Sequence, residues 1–379
     1  MRSTPYLLAA LSLTTAVAAC SDSSATDNSD TTSTGGGGQG EGGANPSTGG
    51  TGPGGSGAGG EGTAPIDGPA DEWAWRPIEG TKCGNGTPAG VGVNLHDDST
   101  MMIIWVSGGG ACWDDEMCNG ASPASIHIHE ELTEAVVAPE YPGLDRSDPN
   151  NPFAAATVAY VPYCTGDLHW GDATGEYSGG NIEHRGASNM RTFLERLRAT
   201  RPNTQQIFFY GGSAGGYGVT LHLGTAKEVF GDDVEVHALA DSSPMVQPLG
   251  DRYDLMKQNW NIQFPSGCEG CEDDMGFIVD TLAERYPTSR YGALIYGSDA
   301  VISMYLGFGE GQLAPAVEEL RAVHYDPYPE TKYFVYAAGT GHGMVADQTP
   351  EATAPDGTTP LLFFLQWLTD DPAWESHAF

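Results

Sequence analysis

Phe208-Phe209-Tyr210-Gly211-Gly212-Ser213-Ala214-Gly215-Gly216 reads as an apolar strand, a G-x-S-x-G turn and the start of a helix. This is the pattern of a nucleophile elbow, where the chain reverses sharply with a serine at its apex. The serine must hold a strained backbone conformation, and bulky neighbours would collide, so small residues flank it. Its hydroxyl then stands above the sheet at the positive end of a helix. A glycine-rich turn of no chemical consequence is the alternative. The apolar run before Ser213 and the helix formers after it favour the elbow.

The fold that carries such an elbow is α/β-hydrolase-like, with a mostly parallel central sheet and helices on both faces. Upstream, Met101-Met102-Ile103-Ile104-Trp105-Val106 is a buried-strand run leading into Ser107-Gly108-Gly109-Gly110-Ala111-Cys112-Trp113. A glycine-rich segment after an early strand supplies half of an oxyanion hole, so Gly109, Gly110 and Ala111 are candidate backbone donors. The N–H of Ala214, next after the nucleophile, is the other half. Downstream, Tyr333 to Ala337 is strand-like and leads to Gly339-Thr340-Gly341-His342-Gly343. Of ten histidines, only His342 combines a strand end, flanking glycines and a late position, so it is the candidate general base. Asn189 to Arg198 places Met190, Phe193, Leu194 and Leu197 at helical spacing, and Leu361 to Leu368 reads as a C-terminal helix on the sheet.

Two aspartates fit the Ser…Asp…His order. Asp241 ends the first strand after the nucleophile, and Asp299 follows the second, just before the strand that delivers His342. The second place adjoins the histidine loop, so Asp299 is favoured as the acid. Asp241 is then a strand-end carboxylate capping Ser242-Ser243-Pro244.

Gly108 to Trp113, then Tyr163-Cys164-Thr165-Gly166-Asp167, then Gly211 to Gly216 follow one another in a way that resembles the pectin acetylesterase family, which includes the Notum carboxylesterase. The resemblance runs from about Cys83, in Cys83-Gly84-Asn85-Gly86-Thr87-Pro88, to His342. It implies an α/β-hydrolase-like serine esterase that uses no metal and no cofactor. The family's acid lies in a D-E-A-Q type segment, which corresponds here to Asp299; Ala300 and Val301 depart from it. Ala111 stands where the family usually has Trp, and Trp113 follows.

Met1-Arg2-Ser3 and the apolar stretch Leu7 to Ala19 read as a secretion signal, with Val17-Ala18-Ala19-Cys20 resembling a bacterial lipobox. Cleavage would leave Cys20 as a lipidated N-terminus; an ordinary secreted protein is the alternative. No other run reaches the ~18 apolar residues of a membrane span. Residues 20–70 are rich in Gly, Ser, Thr and Asp and lack any aromatic or basic residue, the composition of a flexible tether. Residues 71–379 are expected to form one catalytic domain. The expected location is extracytoplasmic, on a bacterial membrane or cell surface.

Seven cysteines less Cys20 leave six, an even set suited to an oxidising compartment. Cys112 and Cys118 flank a short loop, and Cys268 and Cys271 form a C-x-x-C that lacks the companions of a zinc or redox site. If both pair locally, Cys83 and Cys164 pair by elimination, though six cysteines permit 15 connectivities. Net charge is −34 overall; setting aside Arg2 and six tether acids leaves about −29 on residues 71–379. Nucleic acid is a poor partner for such a surface, and a polyanionic substrate is disfavoured at low salt.

The expected reaction is hydrolysis of acetyl esters on a polysaccharide such as pectin, through an acyl-enzyme on Ser213. Trp113, and Tyr217 one turn along the elbow helix, are candidate walls of the acyl pocket. The alternatives are another short acyl or aromatic ester, and an inactive surface binding protein with the same fold.

Overall fold

The computed structural model describes residues 64–120, 124–128, 146, 151, 153–347 and 351–379. The predicted signal (1–19), Cys20 and tether residues 21–63 lie outside the described residues. Packing begins before Asp71: Ile66 is 3% exposed and its N–H donates to Thr200 Oγ1 at 2.7 Å. One large apolar side chain is enough to seat the segment around it.

The strands are β1 (Trp73–Pro77), β2 (Gly90–Asn94), β3 (Met101–Val106), β4 (Thr157–Val161), β5 (Ala173–Tyr177), β6 (Gly180–His184), β7 (Gln206–Gly212), β8 (Glu235–Asp241), β9 (Tyr291–Tyr296), β10 (Thr331–Tyr336) and β11 (His377–Ala378). Nine of them form one sheet in the order β1-β2-β4-β3-β7-β8-β9-β10-β11, while β5 and β6 pair separately. β2 runs antiparallel to β1 and to β4; from β4 to β11 all neighbours are parallel. The mostly parallel sheet agrees with the expected class.

Alternate residues of the central strands feed two cores, as a pleated strand covered on both faces requires. Met102, Ile104, Val106, Ile207, Phe209, Val236 and Ala238 face one core; Ile103, Trp105, Phe208, Tyr210 and Leu239 face the other. Helices α1 (Gly186–Thr200) and α2 (Ala214–Phe230) cover the first face, where Met190, Phe193, Leu194 and Leu197 are all buried. The short α3 (Ala300–Leu306) and α4 (Met344–Asp347) follow β9 and β10, and α5 (Pro360–Thr369) covers the second face through Phe363, Phe364 and Trp367. β3 has β4 on one side and β7 on the other, so the strand order reverses there. The carboxyl ends of strands beside such a switch point are where open α/β sheets place their ligand sites. Among the described residues no helix is long and apolar enough to cross a membrane.

The interior holds several uncharged histidines, which gives a pH signature. Burial pushes His184 down to about 4, His222 and His237 down to about 3, and lowers His169. In the unfolded chain each returns to ~6.5. Their contribution to stability is therefore present above that pH and is lost as pH falls toward the folded values. His324 opposes them. Burial alone would lower it, but Asp280 at 2.6 Å outweighs burial and raises it, so its contribution is present at low pH and lost as pH rises. Four against one among the histidines predicts that the unfolding free energy, and with it the melting temperature, falls between pH 6.5 and 4.5, by up to ~1.4 kcal/mol per pH unit for each neutral histidine, with buried Asp167 and Asp241, both raised by burial, acting against the fall. Thermal unfolding across that range checks it; a flat or rising melting temperature on acidification would contradict it.

Candidate active site

The candidate residues follow the carboxyl ends of four of the five parallel strands in the run β3-β7-β8-β9-β10. The Gly-rich loop follows β3, Ser213 follows β7, Asp299 follows β9 and His342 lies in the loop after β10. Ser213 sits between β7 and α2 with φ 55° and ψ −129°, a conformation that costs a non-glycine residue of order 1–3 kcal/mol. The turn closes because its glycines lack side chains. A Cβ on Gly211 would lie 2.3 Å from Gly215 O, and one on Gly215 would lie 2.1 Å from Val106 O. Neighbouring strand β8 holds the strained serine: its N–H donates to Asp241 O at 2.8 Å, and Ser243 Oγ donates to its carbonyl at 2.7 Å.

Asp299 is 1% exposed and serves two partners. Its Oδ1 accepts the N–H groups of Val301 and Ile302, capping α3. Its Oδ2 lies 2.8 Å from His342 Nδ1. A carboxylate at Nδ1 fixes the neutral tautomer with its proton there, which leaves Nε2 free to accept a proton. The His342 side chain is 24% exposed, so that second nitrogen is open to the site. Among the described residues no hydrogen bond joins Ser213 to His342; in ligand-free sites such contacts are often long until substrate binds.

Asp241 is placed differently from the sequence expectation. Ser242 Oγ does donate to its Oδ1 at 3.2 Å, but the carboxylate chiefly serves a distant segment. Met344 N–H donates to Oδ1 at 2.8 Å, Val345 N–H to Oδ2 at 2.9 Å, and Tyr210 Oη to Oδ2 at 2.9 Å. Burial pushes its carboxyl up, and these hydrogen bonds act against that rise. Gly343 N–H adds a bond to Ser242 Oγ at 2.7 Å. Residues 241–242 thus grip the nucleophile through main chain and the histidine loop through side chains. Asp241 does not touch His342.

The Gly-rich loop is pinned on several sides. Cys112 pairs with Cys118, its N–H donates to Gly166 O, and Trp260 Nε1 donates to its carbonyl. Cys112 N–H is therefore spent. Among the described residues the N–H groups of Gly109, Gly110 and Ala214 carry no hydrogen bond, whereas the Ala111 main chain faces the Tyr305 hydroxyl and works against the rise that burial gives that phenol. The other disulfides are Cys83–Cys164 and Cys268–Cys271. All three pairings are those expected. The Cys164 motif has its own structural logic. Buried Asp167 accepts hydrogen bonds from Thr165 Oγ1 and from the N–H groups of His169, Gly171 and Gly186. They surround Leu168 and His169, both with positive φ, and His169 Nε2 in turn reaches Ser107 O at 3.0 Å.

Beside Ser213 lies a small apolar cavity of about 20 Å³, enough for about one water-sized group. Trp113 and Tyr217 both line it. Both are also buried core residues: Trp113 meets Trp260 edge-on at 6.4 Å, and Tyr217 Oη donates to Pro244 O. Ile302, Tyr305 and Leu306 close the remaining wall from α3, residues that sequence reading did not single out. The usable signal was phase: they recur at helical spacing on the helix that Asp299 caps. Among the described residues no cluster of His, Cys, Asp or Glu is placed to hold a metal ion.

Residues 76–248 match the pectinacetylesterase family. Palmitoleoyl-protein carboxylesterase notum1a of Danio rerio is 25% identical over 173 residues, covering 42% of this chain and 33% of that relative. Human palmitoleoyl-protein carboxylesterase NOTUM is 24% identical with the same coverage. The match thus spans about a third of these curated relatives. The solved structure of the Wnt deacylase Notum from Drosophila has a TM-score of 0.56 at 16% identity, covering 80% of this chain and 95% of that one. At that identity the likeness establishes the shared α/β-hydrolase-like fold. The family match ends before Asp299 and His342, so these two rest on their own geometry. Motif order, fold and matches agree: residues 76–248 of this chain are similar to the pectinacetylesterase family, and its fold is the one seen in Notum.

Proposed function

We propose that this chain is a serine carboxylesterase that removes acetyl groups from a polysaccharide. The observation that carries the reading is the Asp299–His342 pair set beside a strained serine elbow and a cavity of one-group size. His342 Nε2 takes the proton of Ser213 Oγ as that oxygen attacks the ester carbonyl. Main-chain N–H groups of Gly109, Gly110 and Ala214 hold the developing oxyanion, while Ala111, also expected there, faces the Tyr305 hydroxyl. His342 then protonates the departing sugar oxygen, and Asp299 stabilises the imidazolium. Water, deprotonated by His342, releases acetate and restores Ser213.

The acidic surface bears on the alcohol half. A charge of about −29 on residues 71–379 repels a glycan carrying free uronates, with a range of ~8 Å at physiological salt. This favours a neutral acetylated glycan over demethylated pectin. Initial rates of acetate release from acetylated xylan and acetylated pectin, at low and physiological salt, test it. Xylan is expected to be preferred at low salt, with the gap narrowing as salt rises. Release from neither polymer, with nitrophenyl acetate still cleaved, would point to a small-molecule ester instead.

The N-terminal reading completes the proposal. Lipid on Cys20 would hold the enzyme at a membrane, with residues 21–63 as spacer. Cys20→Ala is expected to move the protein from the membrane fraction to the soluble one; unchanged fractionation would remove the anchor from the account.

A further inference from the structure

We propose that Tyr305 sets the upper limit on acyl length, a specificity role that rests on the esterase reading above. Three observations converge on it. Tyr305 lies on α3, whose N-terminus is fixed by Asp299, so one helix carries both the acid and the pocket wall. Its ring meets Trp113 edge-on at 6.3 Å, which closes the cavity on the side facing the Gly-rich loop. Its hydroxyl lies over Gly110, where an added Cβ would come within 2.4 Å of Oη. Gly110, at φ 78°, is thus shaped to let this one hydroxyl approach.

The ring is a wall because it is wedged between the Trp113 ring and the backbone at Gly110, and it cannot swing aside for a longer chain without giving up both contacts. With about 20 Å³ free beside Ser213, an acetyl methyl fits and further methylenes meet the ring. Trp113 and Tyr217 also bound the space, but both are buried in the core. Truncating either would leave a cavity in the core and blur any change in selectivity. Tyr305 is only half-buried, so shortening it opens the pocket with less loss of packing.

The test compares kcat/KM for nitrophenyl acetate, butyrate and octanoate in wild type, Tyr305→Phe, Tyr305→Leu and Tyr305→Ala, with folding checked by circular dichroism. Wild type is expected to prefer acetate. Tyr305→Leu and Tyr305→Ala should raise the octanoate-to-acetate ratio at least ~10-fold, the effect of roughly one methylene of apolar space. Tyr305→Phe, which keeps the ring, should preserve the order. Unchanged ranking in both shortened variants would overturn the proposal while leaving the esterase reading intact. So would a wild-type preference for octanoate, a result that needs no variant to fold. Cleavage of no ester by wild type, with no labelling of Ser213 by a serine-reactive phosphonate, would overturn both.

Discussion

Ser213→Ala is expected to abolish ester hydrolysis, with a loss in kcat on the order of 10⁶-fold, and to leave the fold intact. The size follows from the way a nucleophile and its base act as one unit: removing either leaves only binding and the oxyanion donors. The fold survives because the Ser213 main chain, not its hydroxyl, makes the bonds to Asp241 and Ser243. Alanine at φ 55° is no easier to accommodate than serine, so any stability change should stay near 1 kcal/mol. His342→Ala should match the loss. Activity within tenfold of wild type in either variant, with an unchanged melting temperature, would remove that residue from the reaction.

Asp299→Asn is expected to lower kcat by about 10⁴-fold with little change in stability. The asparagine oxygen can still accept the N–H groups of Val301 and Ile302, since Asn is as good a helix cap as Asp. Its amide nitrogen, however, then faces His342 Nδ1 as a donor. The imidazole must turn to the other tautomer, with the proton on Nε2, and can no longer accept one from Ser213. Asp241→Asn separates the two aspartates. Met344 and Val345 donate to different oxygens of Asp241, so an amide would set one N–H against another and cost about 1–3 kcal/mol. Its effect on kcat should be far smaller, roughly 10- to 100-fold, through a loosened histidine loop. Steady-state kinetics and thermal melts of the two variants check both; the reverse ranking in kcat would transfer the acid role to Asp241.

The elbow was legible because its constraints are local. Gly211, Ser213 and Gly215 declare a turn whose geometry admits few other residues, and the continuous apolar run before it declares a strand buried on both faces, with helix formers after it. The order of strand ends then distinguished Asp299 from Asp241 without any contact being known. Contacts made across long sequence gaps were not legible. The Asp241 carboxylate reaches Met344 and Val345 over a hundred residues away, and nothing near Asp241 announces them. Tyr305 was hidden for a related reason. Helical spacing shows that Ile302, Tyr305 and Leu306 share a face, but what the face meets depends on where the Asp299 cap sets the helix. Ile66 escaped notice because a single apolar residue in a Gly- and Pro-rich context carries no periodicity. The disulfides fall between these cases, with two short-range pairs readable from proximity and the third left over.

The central claim is that Ser213 is the nucleophile of an esterase. Its most direct test is to react the full chain with a fluorophosphonate, then map the label by peptide mass spectrometry while following nitrophenyl acetate hydrolysis. One label on Ser213, appearing in step with loss of activity and much more slowly in Asp299→Asn, is the predicted result. Hydrolysis that persists in fully labelled protein, or a label that maps to any other serine, would contradict it.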